Sequence, residues 1–245
     1  MSKGRIILFI AALSAITLLI IILANNWRNK IYISKITIKG NITISESEIL
    51  TAAGLKVDST INLDELNEMF IRDRVAKHPE IKKVVVSKEP PSELIIEVIE
   101  KKPIAIVIKS NEIYLIDEEQ EIFPIKNYDK AFDLPIINGL GTDDRKNKTD
   151  INAAMNFLKA AYEKGKYIQN LISEVNMKDS SKIVVKTNDK LTSFYFKRVD
   201  KNTNEYYKPK LELFKRFMDS EITLRNLNCE YVDMRFSNQI IAKIN

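Results

Sequence analysis

The strongest constraint on this chain of 245 residues is an uncharged apolar segment close to its N-terminus. The nineteen residues from Ile6 to Ala24 carry no charge, and thirteen of them are Ile, Leu or Phe. As a helix with a rise of about 1.5 Å per residue, this segment would be roughly 28 Å long, close to the roughly 30 Å hydrocarbon core of a bilayer. The composition predicts a transmembrane helix over residues 6–24, followed by an interfacial aromatic residue, Trp27.

A cleaved signal peptide is the alternative interpretation of this segment. Its apolar region usually has about 7 to 15 residues and is followed by small residues in an A-x-A-like pattern. The segment here is longer, and the bulky Ile22 lies two residues before Ala24. We therefore expect an uncleaved anchor, with residues 1–5 as a cytoplasmic tail and residues 25–32 as a juxtamembrane linker.

Basic residues flank the apolar segment on both sides, so charge alone does not orient it. A tail of five residues is too short to fold, and we therefore expect the tail in the cytoplasm and the bulk of the chain outside it. Without Lys3 and Arg5 the chain holds 36 basic and 33 acidic residues, which is not the concentrated basic face of a nucleic-acid-binding domain. The single cysteine, Cys229, excludes an intrachain disulfide and is expected to be a small buried residue.

Residues 33–100 show the pattern of a small domain with the order β-α-α-β-β. Alternating apolar residues predict the strands, and a capping box at Ser45 to Glu48, with Gly54 after it, predicts the first helix. The predicted elements are strand Ile33–Lys39, a helix from Ser45, helix Leu63–Ala76, strand Ile81–Lys88 and a strand over 92–100. Two helices covering one face of a three-stranded sheet would complete an α+β domain.

Residues 101–245 are predicted to form a mainly antiparallel β domain with two or more helices, so the whole chain belongs to the α+β class. One helix is predicted at Asn147–Lys164, with Thr149 or Asp150 as its cap, and another begins near Pro209. The chain is predicted to close with two strands, Glu230–Phe236 and Gln239–Ile244.

The sequence offers little for catalysis. One histidine, His78, which we expect in a surface or half-buried role at a helix end, and one cysteine cannot build a conventional zinc site. The nucleophile, metalloprotease and phosphate-loop motifs are absent from the sequence. The acidic runs Asp117-Glu118-Glu119 and Asp143-Asp144 lie in predicted turns, where solvated carboxylates are expected. We therefore expect a protein without cofactor, metal, nucleic acid or small-molecule substrate, acting through its surfaces.

The order of several short motifs resembles the FtsQ/DivIB family of bacterial cell-division proteins. The motifs are the strand Ile33 to Gly40, the junction Pro91-Ser92-Glu93-Leu94 with Ile96, Val98, Glu100 and Pro103-Ile104-Ala105, the hairpin Ile116-Asp117 to Ile122-Phe123, Leu134-Pro135, and Tyr231 to Phe236 with Asn238-Gln239. Their fixed order behind one N-terminal anchor covers nearly the whole chain. Gln120 stands where the family usually has Gly in the hairpin.

The resemblance implies a POTRA domain at residues 33–100 and the family's β domain at residues 101–245. It also implies a non-catalytic scaffold of the divisome, in the bacterial cytoplasmic (inner) membrane and enriched at the septum. Such a scaffold would bind FtsB, FtsL and other divisome proteins, and would help to recruit or regulate septal peptidoglycan synthesis.

In the family, FtsB adds a strand beside the last strand of the β domain, and an unpaired strand edge is suited to this kind of binding. Carried onto this chain, the candidate partner-binding residues are Arg235, Phe236, Ser237, Ile240, Ile241, Ala242 and Ile244. Arg235 would pair with a partner carboxylate, and Phe236 would pack in the interface. The alternative for Phe236 is a core position on one strand face with Val232 and Met234. Because the sequence ends at Asn245, we expect no tail over this edge.

Two other functions stay open at this point. A POTRA-containing protein of outer-membrane assembly or secretion would usually carry several POTRA units that lead to a barrel. A membrane-anchored cell-wall enzyme would need a nucleophile or an acid pair in a cleft, and the sequence indicates neither.

Overall fold

A computed structural model of the chain describes residues 3–28, 32–55, 61–63, 65–126, 132–188, 192–199, 205–220, 229–237 and 239–244. The chain divides into two compact units, Met1–Lys101 and Lys102–Asn245.

The first unit begins with an apolar helix, α1 (Lys3–Arg28). Within it, Ile7–Asn25 is long and apolar enough to cross a membrane, and none of this stretch is buried against the rest of the chain. The polar residues inside it satisfy themselves locally, since the hydroxyls of Ser14 and Thr17 donate to carbonyls one turn earlier. The helix continues past the expected end at residue 24. Residues 29–31 of the expected linker and the side chain of Trp27 lie outside the described part of the chain.

The remainder of the first unit has the predicted order β-α-α-β-β. Its elements are β1 (Lys35–Lys39), α2 (Glu46–Ala53), α3 (Glu68–Val75), β2 (Ile81–Glu89) and β3 (Glu93–Glu100). The described strands form a sheet in the order β1-β3-β2, in which β3 runs parallel to β1 and antiparallel to β2. The helices bury their apolar sides on this sheet, and the core contains Ile49, Ile71, Val75, Leu94, Ile96 and Val98.

The predicted ends of α2 are confirmed. The Ser45 hydroxyl accepts from the Glu48 backbone N–H at 3.2 Å, and Gly54 ends the helix with a φ of 72°. The Glu48 side chain, in contrast, does not close a capping box. Its carboxylate lies 2.9 Å from Nε2 of His78, which is only 5% exposed. His78 is therefore a buried link between α2 and the chain after α3, and the expected surface or half-buried role is wrong.

The last residue of β3, Glu100, holds the loop that follows β1. Its buried carboxylate accepts hydrogen bonds from the backbone N–H groups of Ile42, Thr43 and Ile44 at 2.7 to 3.0 Å and from the Thr43 hydroxyl at 2.6 Å. Burial raises the pKa of Glu100, but these hydrogen bonds together outweigh it, so the pKa lies below its usual value. The ionised form of Glu100 thus stabilises the folded unit.

The described strands of the second unit form a nine-stranded sheet in the order β12-β11-β10-β9-β8-β7-β4-β5-β6. Its elements are β4 (Pro103–Lys109), β5 (Glu112–Asp117), β6 (Ile122–Pro124), β7 (Ile136–Asn138), α4 (Asp144–Glu163), α5 (Lys166–Leu171), β8 (Ile172–Asn176), β9 (Lys182–Thr187), β10 (Ser193–Lys197), α6 (Tyr207–Met218), β11 (Cys229–Asp233) and β12 (Ile241–Ile244). Five strand pairings are antiparallel and three are parallel, so the sheet is mainly antiparallel, as predicted.

A single row of paired residues crosses this sheet from one edge to the other. In order it contains Pro124, Tyr114, Val107, Ile137, Val175, Val185, Phe194, Val232 and Ala242. The six central members, Val107 to Val232, are at most 1% exposed. They share one core with α4 and α6, whose Phe157 and Phe214 contact Phe196 and Phe194. Each such buried side chain contributes about 1.5–3 kcal/mol.

Several carboxylates have roles that differ from the predicted ones. Helix α4 begins at Asp144, because Asp143 accepts from the backbone N–H of Arg145 at 2.9 Å, so Thr149 and Asp150 are not its caps. Asp150 is 1% exposed and pairs with Arg198. Asp144 lies 2.7 Å from the Lys109 ammonium.

In the β5–β6 hairpin, Asp117 is also not a solvated turn residue. It is 4% exposed and accepts from the backbone N–H groups of Glu119 and Glu121 at 2.9 Å. Gln120 adopts a φ of 65°, the conformation for which Gly is favoured.

We expect Glu100→Gln to destabilise the first unit by about 2 kcal/mol at pH 7, since buried N–H donors lose a charged acceptor. The folded-state pKa of Glu100 is lowered, so its stabilisation is present above the unfolded pKa of about 4.3 and is lost as the pH falls through the folded value. The difference between variant and wild type should therefore shrink below about pH 4. Amide hydrogen exchange of the full chain in detergent measures it.

The matched control is Glu97→Gln, because Glu97 lies on the same strand and is exposed. This variant should exchange like the wild type at pH 7. Equal effects of the two substitutions would contradict the role of Glu100.

Candidate partner-binding edge

The last strand of the second unit, β12, lies at one end of the sheet. It pairs antiparallel with β11, and among the described strands none lies on its other side. The register shifts between Cys229 and Tyr231, so Glu230 has no partner of its own on β12. Within the described residues, the backbone N–H and C=O groups on the outer side of β12 therefore face no other strand.

The two faces of β12 differ in character. Ala242 pairs with Val232 and packs against the core below the helices. Ile241 lies beside Asp233 on the opposite face, and Lys243 lies beside Tyr231. On that opposite face, Tyr231 stacks on Tyr195 with ring centroids 5.0 Å apart, and the Lys182 ammonium lies 3.8 Å from the Tyr195 ring centroid.

The edge carries a group of exposed apolar side chains. Phe236, Ile241 and Ile244 are 41%, 42% and 52% exposed. Ser237 is also exposed, whereas Ile240 and Ala242 are partly buried against the core. The structure thus places the seven predicted residues, Arg235 included, on β12 and on the loop before it.

The expectation of a shared strand face for Phe236 is wrong. Strand β11 ends at Asp233 instead of continuing to Phe236, and β12 starts at Ile241 instead of Gln239. Val232 and Met234 are buried, at 0% and 1% exposure. Phe236 lies beyond them in the loop, so its ring is not a core side chain.

Arg235 is engaged within the chain. Its Nε lies 2.9 Å from Oδ1 of Asp233 and its Nη2 lies 2.6 Å from Oδ2. The Arg235 backbone N–H donates to the same carboxylate at 3.0 Å. A partner carboxylate would therefore meet an arginine that already has an anionic partner.

The contacts with Arg235 affect the pKa of the Asp233 carboxyl. Burial raises its pKa, but the hydrogen bonds and charge of Arg235 outweigh that effect, and the pKa lies below its usual value. The contribution of the pair to stability is therefore present above the unfolded pKa of about 3.9 and is lost as the pH falls below it.

Lys210 of α6 and Tyr206, the residue just before α6, hold the same loop, and the sequence did not predict this role for either residue. The buried Lys210 donates from Nζ to the carbonyl of Phe236, and the Tyr206 hydroxyl lies 3.5 Å from the carbonyl of Arg235. A signal for Lys210 was present, because it lies three residues after Tyr207 and four before Phe214 on the apolar side of the helix. Asp233 was also missed, although residues i and i+2 of a strand point the same way.

The described residues show no group of three or more His, Cys, Asp or Glu side chains that could hold a metal ion. A small cleft of about 180 Å³ between the start of β7 and α5 is lined by four amide or hydroxyl side chains, four apolar side chains and Asp133. The open edge therefore remains the feature around which the predicted residues gather.

The described chain combines an N-terminal helix that is long enough to cross a membrane, a β-α-α-β-β domain and a mainly antiparallel β domain. This combination is that of a bitopic protein with one POTRA domain. Two family models match it: "POTRA domain, FtsQ-type" over residues 32–101, and "Cell division protein FtsQ/DivIB, C-terminal" over residues 105–235. The chain belongs to the FtsQ/DivIB family of cell-division proteins.

A curated relative supports the same family. The protein named Cell division protein FtsQ from Rickettsia bellii (strain RML369-C) is 37% identical over 90 residues, which is 36% of this chain and 32% of the relative. The matched stretch thus spans about a third of the relative's length.

A double-mutant cycle with Asp233→Ala and Arg235→Ala should give a coupling energy of about 1 kcal/mol, because the pair is bidentate and the Asp233 side chain is only 8% exposed. The hydrogen bond to the Arg235 backbone is lost in both Asp233 variants and cancels in the cycle. Amide exchange of residues 229–235 in the full chain provides the free energies.

The control cycle uses Glu230 and Lys243, which also pair but are 51% and 56% exposed. Exposed pairs of this kind couple by about 0.5 kcal/mol or less. A coupling at Asp233–Arg235 no larger than the control would show that the contact contributes nothing specific to the loop.

Proposed function

We propose that this protein is a non-catalytic, bitopic membrane scaffold of the bacterial divisome. Its β domain binds an FtsB/FtsL-type partner at the β12 edge, and it helps to recruit or regulate septal peptidoglycan synthesis. The observation that carries the proposal is the outer side of β12, beside which no described strand lies, together with the exposed Phe236, Ile241 and Ile244.

An open strand edge is a ready template for another strand. Main-chain hydrogen bonds supply affinity, and alternate side chains supply specificity. A partner strand placed beside β12 would become a tenth strand, and its backbone would satisfy the N–H and C=O groups that point away from β11. It would also cover part of the apolar surface of Ile241 and Ile244.

The row of paired residues across the sheet constrains the partner's sequence. The row ends at Ala242, which packs against the core. A partner residue that pairs with Ala242 would extend the row on the helix-covered face, so we expect it to be apolar. Its two neighbours would lie on the other face beside Ile241 and Lys243, where polar or charged side chains are tolerated.

Arg235 gives this edge an electrostatic element. Its guanidinium is one-third exposed while it binds Asp233. A planar guanidinium has five N–H donors, so it can hold Asp233 and still donate to a second carboxylate from a partner. We therefore infer that a partner acid would join the Asp233–Arg235 pair and leave that pair intact.

The apolar helix α1 supports an anchor in the cytoplasmic membrane. In the proposed orientation, residues 1–5 are cytoplasmic, and the part of the first unit that follows α1 and the whole second unit are extracytoplasmic, where a septal partner would be found. Labelling with a membrane-impermeant maleimide checks this in a Cys229→Ser background. Ser180→Cys should react in spheroplasts and Gly4→Cys only after permeabilisation.

An enzymatic role has less support. The polar groups that the sequence offered for chemistry are used structurally: His78 binds Glu48, Asp117 caps its own turn, and Asp143 caps α4. The purified full chain should leave peptidoglycan intact in a hydrolysis assay. Measurable turnover would support the cell-wall enzyme instead of the scaffold.

We expect Ile241→Lys to weaken binding of the FtsB–FtsL-type pair from the same organism by about tenfold or more, because the apolar contact of Ile241 with the incoming strand is lost and a lysine on an edge strand opposes strand addition. A chain that ends before Gln239, which lacks β12, should lose binding altogether. Co-purification and titration with the full chain in detergent measure both effects.

The opposite edge of the same sheet offers a matched control. Ile122 of β6 is 40% exposed, close to the 42% of Ile241, and it also lies on an edge strand of the described sheet. Ile122→Lys should bind like the wild type. If both lysine variants bind normally while the fold is preserved, the docking site lies elsewhere.

A further inference from the structure

Lys210 occupies an unusual position for a lysine. It lies on the core side of α6 and is only 6% exposed. Burying an ammonium is costly unless it finds strong acceptors. Here the ammonium donates to the backbone carbonyl of Phe236, in the loop that leads into β12.

The loop after β11 is held from two directions. On one side, the Asp233 carboxylate binds the backbone and the guanidinium of Arg235. On the other side, Lys210 of α6 and the more distant hydroxyl of Tyr206, which lies just before α6, contact the loop. Of these contacts, the one from Lys210 reaches furthest along the loop, to the residue whose exposed ring flanks the β12 edge.

The neighbouring charges are compatible with a charged lysine at this place. Burial lowers the pKa of Lys210 below its usual value, and the charge of the Asp233 carboxylate, which favours the ammonium, offsets only part of this effect. Helix α6 itself is fixed to the end of β10, because the fully buried Tyr207 donates from its hydroxyl to the Lys197 carbonyl at 3.3 Å and accepts from the Val199 backbone N–H at 3.1 Å. Lys210 therefore projects from a rigid support.

We propose that Lys210 is a positioning residue for the partner-binding edge. By fixing the carbonyl of Phe236, it sets the direction in which the loop leaves the sheet and the place at which Phe236 and β12 meet an incoming strand. This inference rests on the proposed function, namely that β12 receives a strand from a partner. A loop that is ordered before binding does not have to be ordered during binding, which favours affinity.

The test uses the full chain in detergent and the same FtsB–FtsL-type pair as above. Lys210→Met keeps the length and apolar stem but removes the donor, and Lys210→Arg keeps a charged donor. Lys210→Met should weaken binding about tenfold, the size expected for a lost hydrogen bond from a charged group. Lys210→Arg should stay within about threefold of the wild type.

Lys208→Met is the matched control on the same helix. The Lys208 ammonium pairs with Glu163 and Glu205 at 3.0 and 2.6 Å. Its loss should leave binding unchanged, although it removes a lysine only two residues away.

Hydrogen exchange of the unbound chain separates positioning from general stability. In Lys210→Met, peptides covering residues 234–240 should exchange about tenfold faster, while peptides from β9 and β10 stay as in the wild type. If Lys210→Met does not fold, Lys210→Gln, a shorter neutral donor, takes its place. Its affinity for the partner pair should be lower than that of the wild type and of Lys210→Arg, but binding should not be lost completely.

Three outcomes would overturn the assignment. They are unchanged binding by a folded Lys210→Met, an equal loss in Lys210→Arg and Lys210→Met, and a loss that is accompanied by faster exchange throughout the sheet. The Ile241→Lys variant, measured alongside, separates the two proposals. If it binds normally, the β12 docking site is wrong; if it fails to bind while Lys210→Met binds normally, only the role of Lys210 is wrong.

Discussion

The row of paired residues that crosses the second unit is the constraint on which the rest of that unit depends. Side chains alternate along a strand, so one buried residue per strand on the same face fixes the register of six strands at once. These residues are Val107, Ile137, Val175, Val185, Phe194 and Val232. A slip of one residue in any of them would turn that strand's apolar residues away from α4 and α6. The position of β11, and hence of the partner-binding edge, follows from this register.

Charged side chains stabilise the loops and helix ends, which the row of paired residues does not include. Loops and helix ends expose backbone N–H groups, and carboxylates accept hydrogen bonds from several of them: the buried Glu100 in the first unit, and the buried Asp117 and the exposed Asp143 in the second. In the loop between β11 and β12, side chains of both charges bind backbone groups: the Asp233 carboxylate accepts from an N–H group, and the Lys210 ammonium donates to a carbonyl. The loop therefore has a defined conformation although it carries an exposed phenylalanine.

Much of the fold could be predicted from the sequence because its signals are local. The capping residue Ser45, the helix-ending Gly54 and the alternation in β3 each depend on a few neighbours, and each was found. Charged side chains that act over long sequence distances could not be found in this way. The pairs His78–Glu48 and Asp150–Arg198 join residues 30 and 48 positions apart, and the interior partner of a charge is set by packing.

The candidate site shows the same division. The resemblance to the family pointed to the seven residues of the edge, whereas strand alternation wrongly extended β11 to Phe236, since Val232, Met234 and Phe236 alternate as a strand would. The strand stops at Asp233 because the next residues bind elsewhere. The Arg235 backbone N–H donates to the Asp233 carboxylate, and the Phe236 carbonyl accepts from Lys210. An arginine two residues after an aspartate signals a local pair as readily as a partner contact, and the sequence alone does not rank the two.

The two edges of the large sheet differ in a way that sequence-level rules explain. Natural sheets protect their edges with charges, proline or short strands. Strand β6 has three residues and ends in Pro124, which cannot donate to an added strand. The one lysine on β12, Lys243, is held by Glu230 at 2.5 Å, so its charge is offset, and isoleucines occupy both ends of the strand. A sheet that receives one partner strand would need an edge that resists strand addition, as at β6, and an edge that permits it, as at β12.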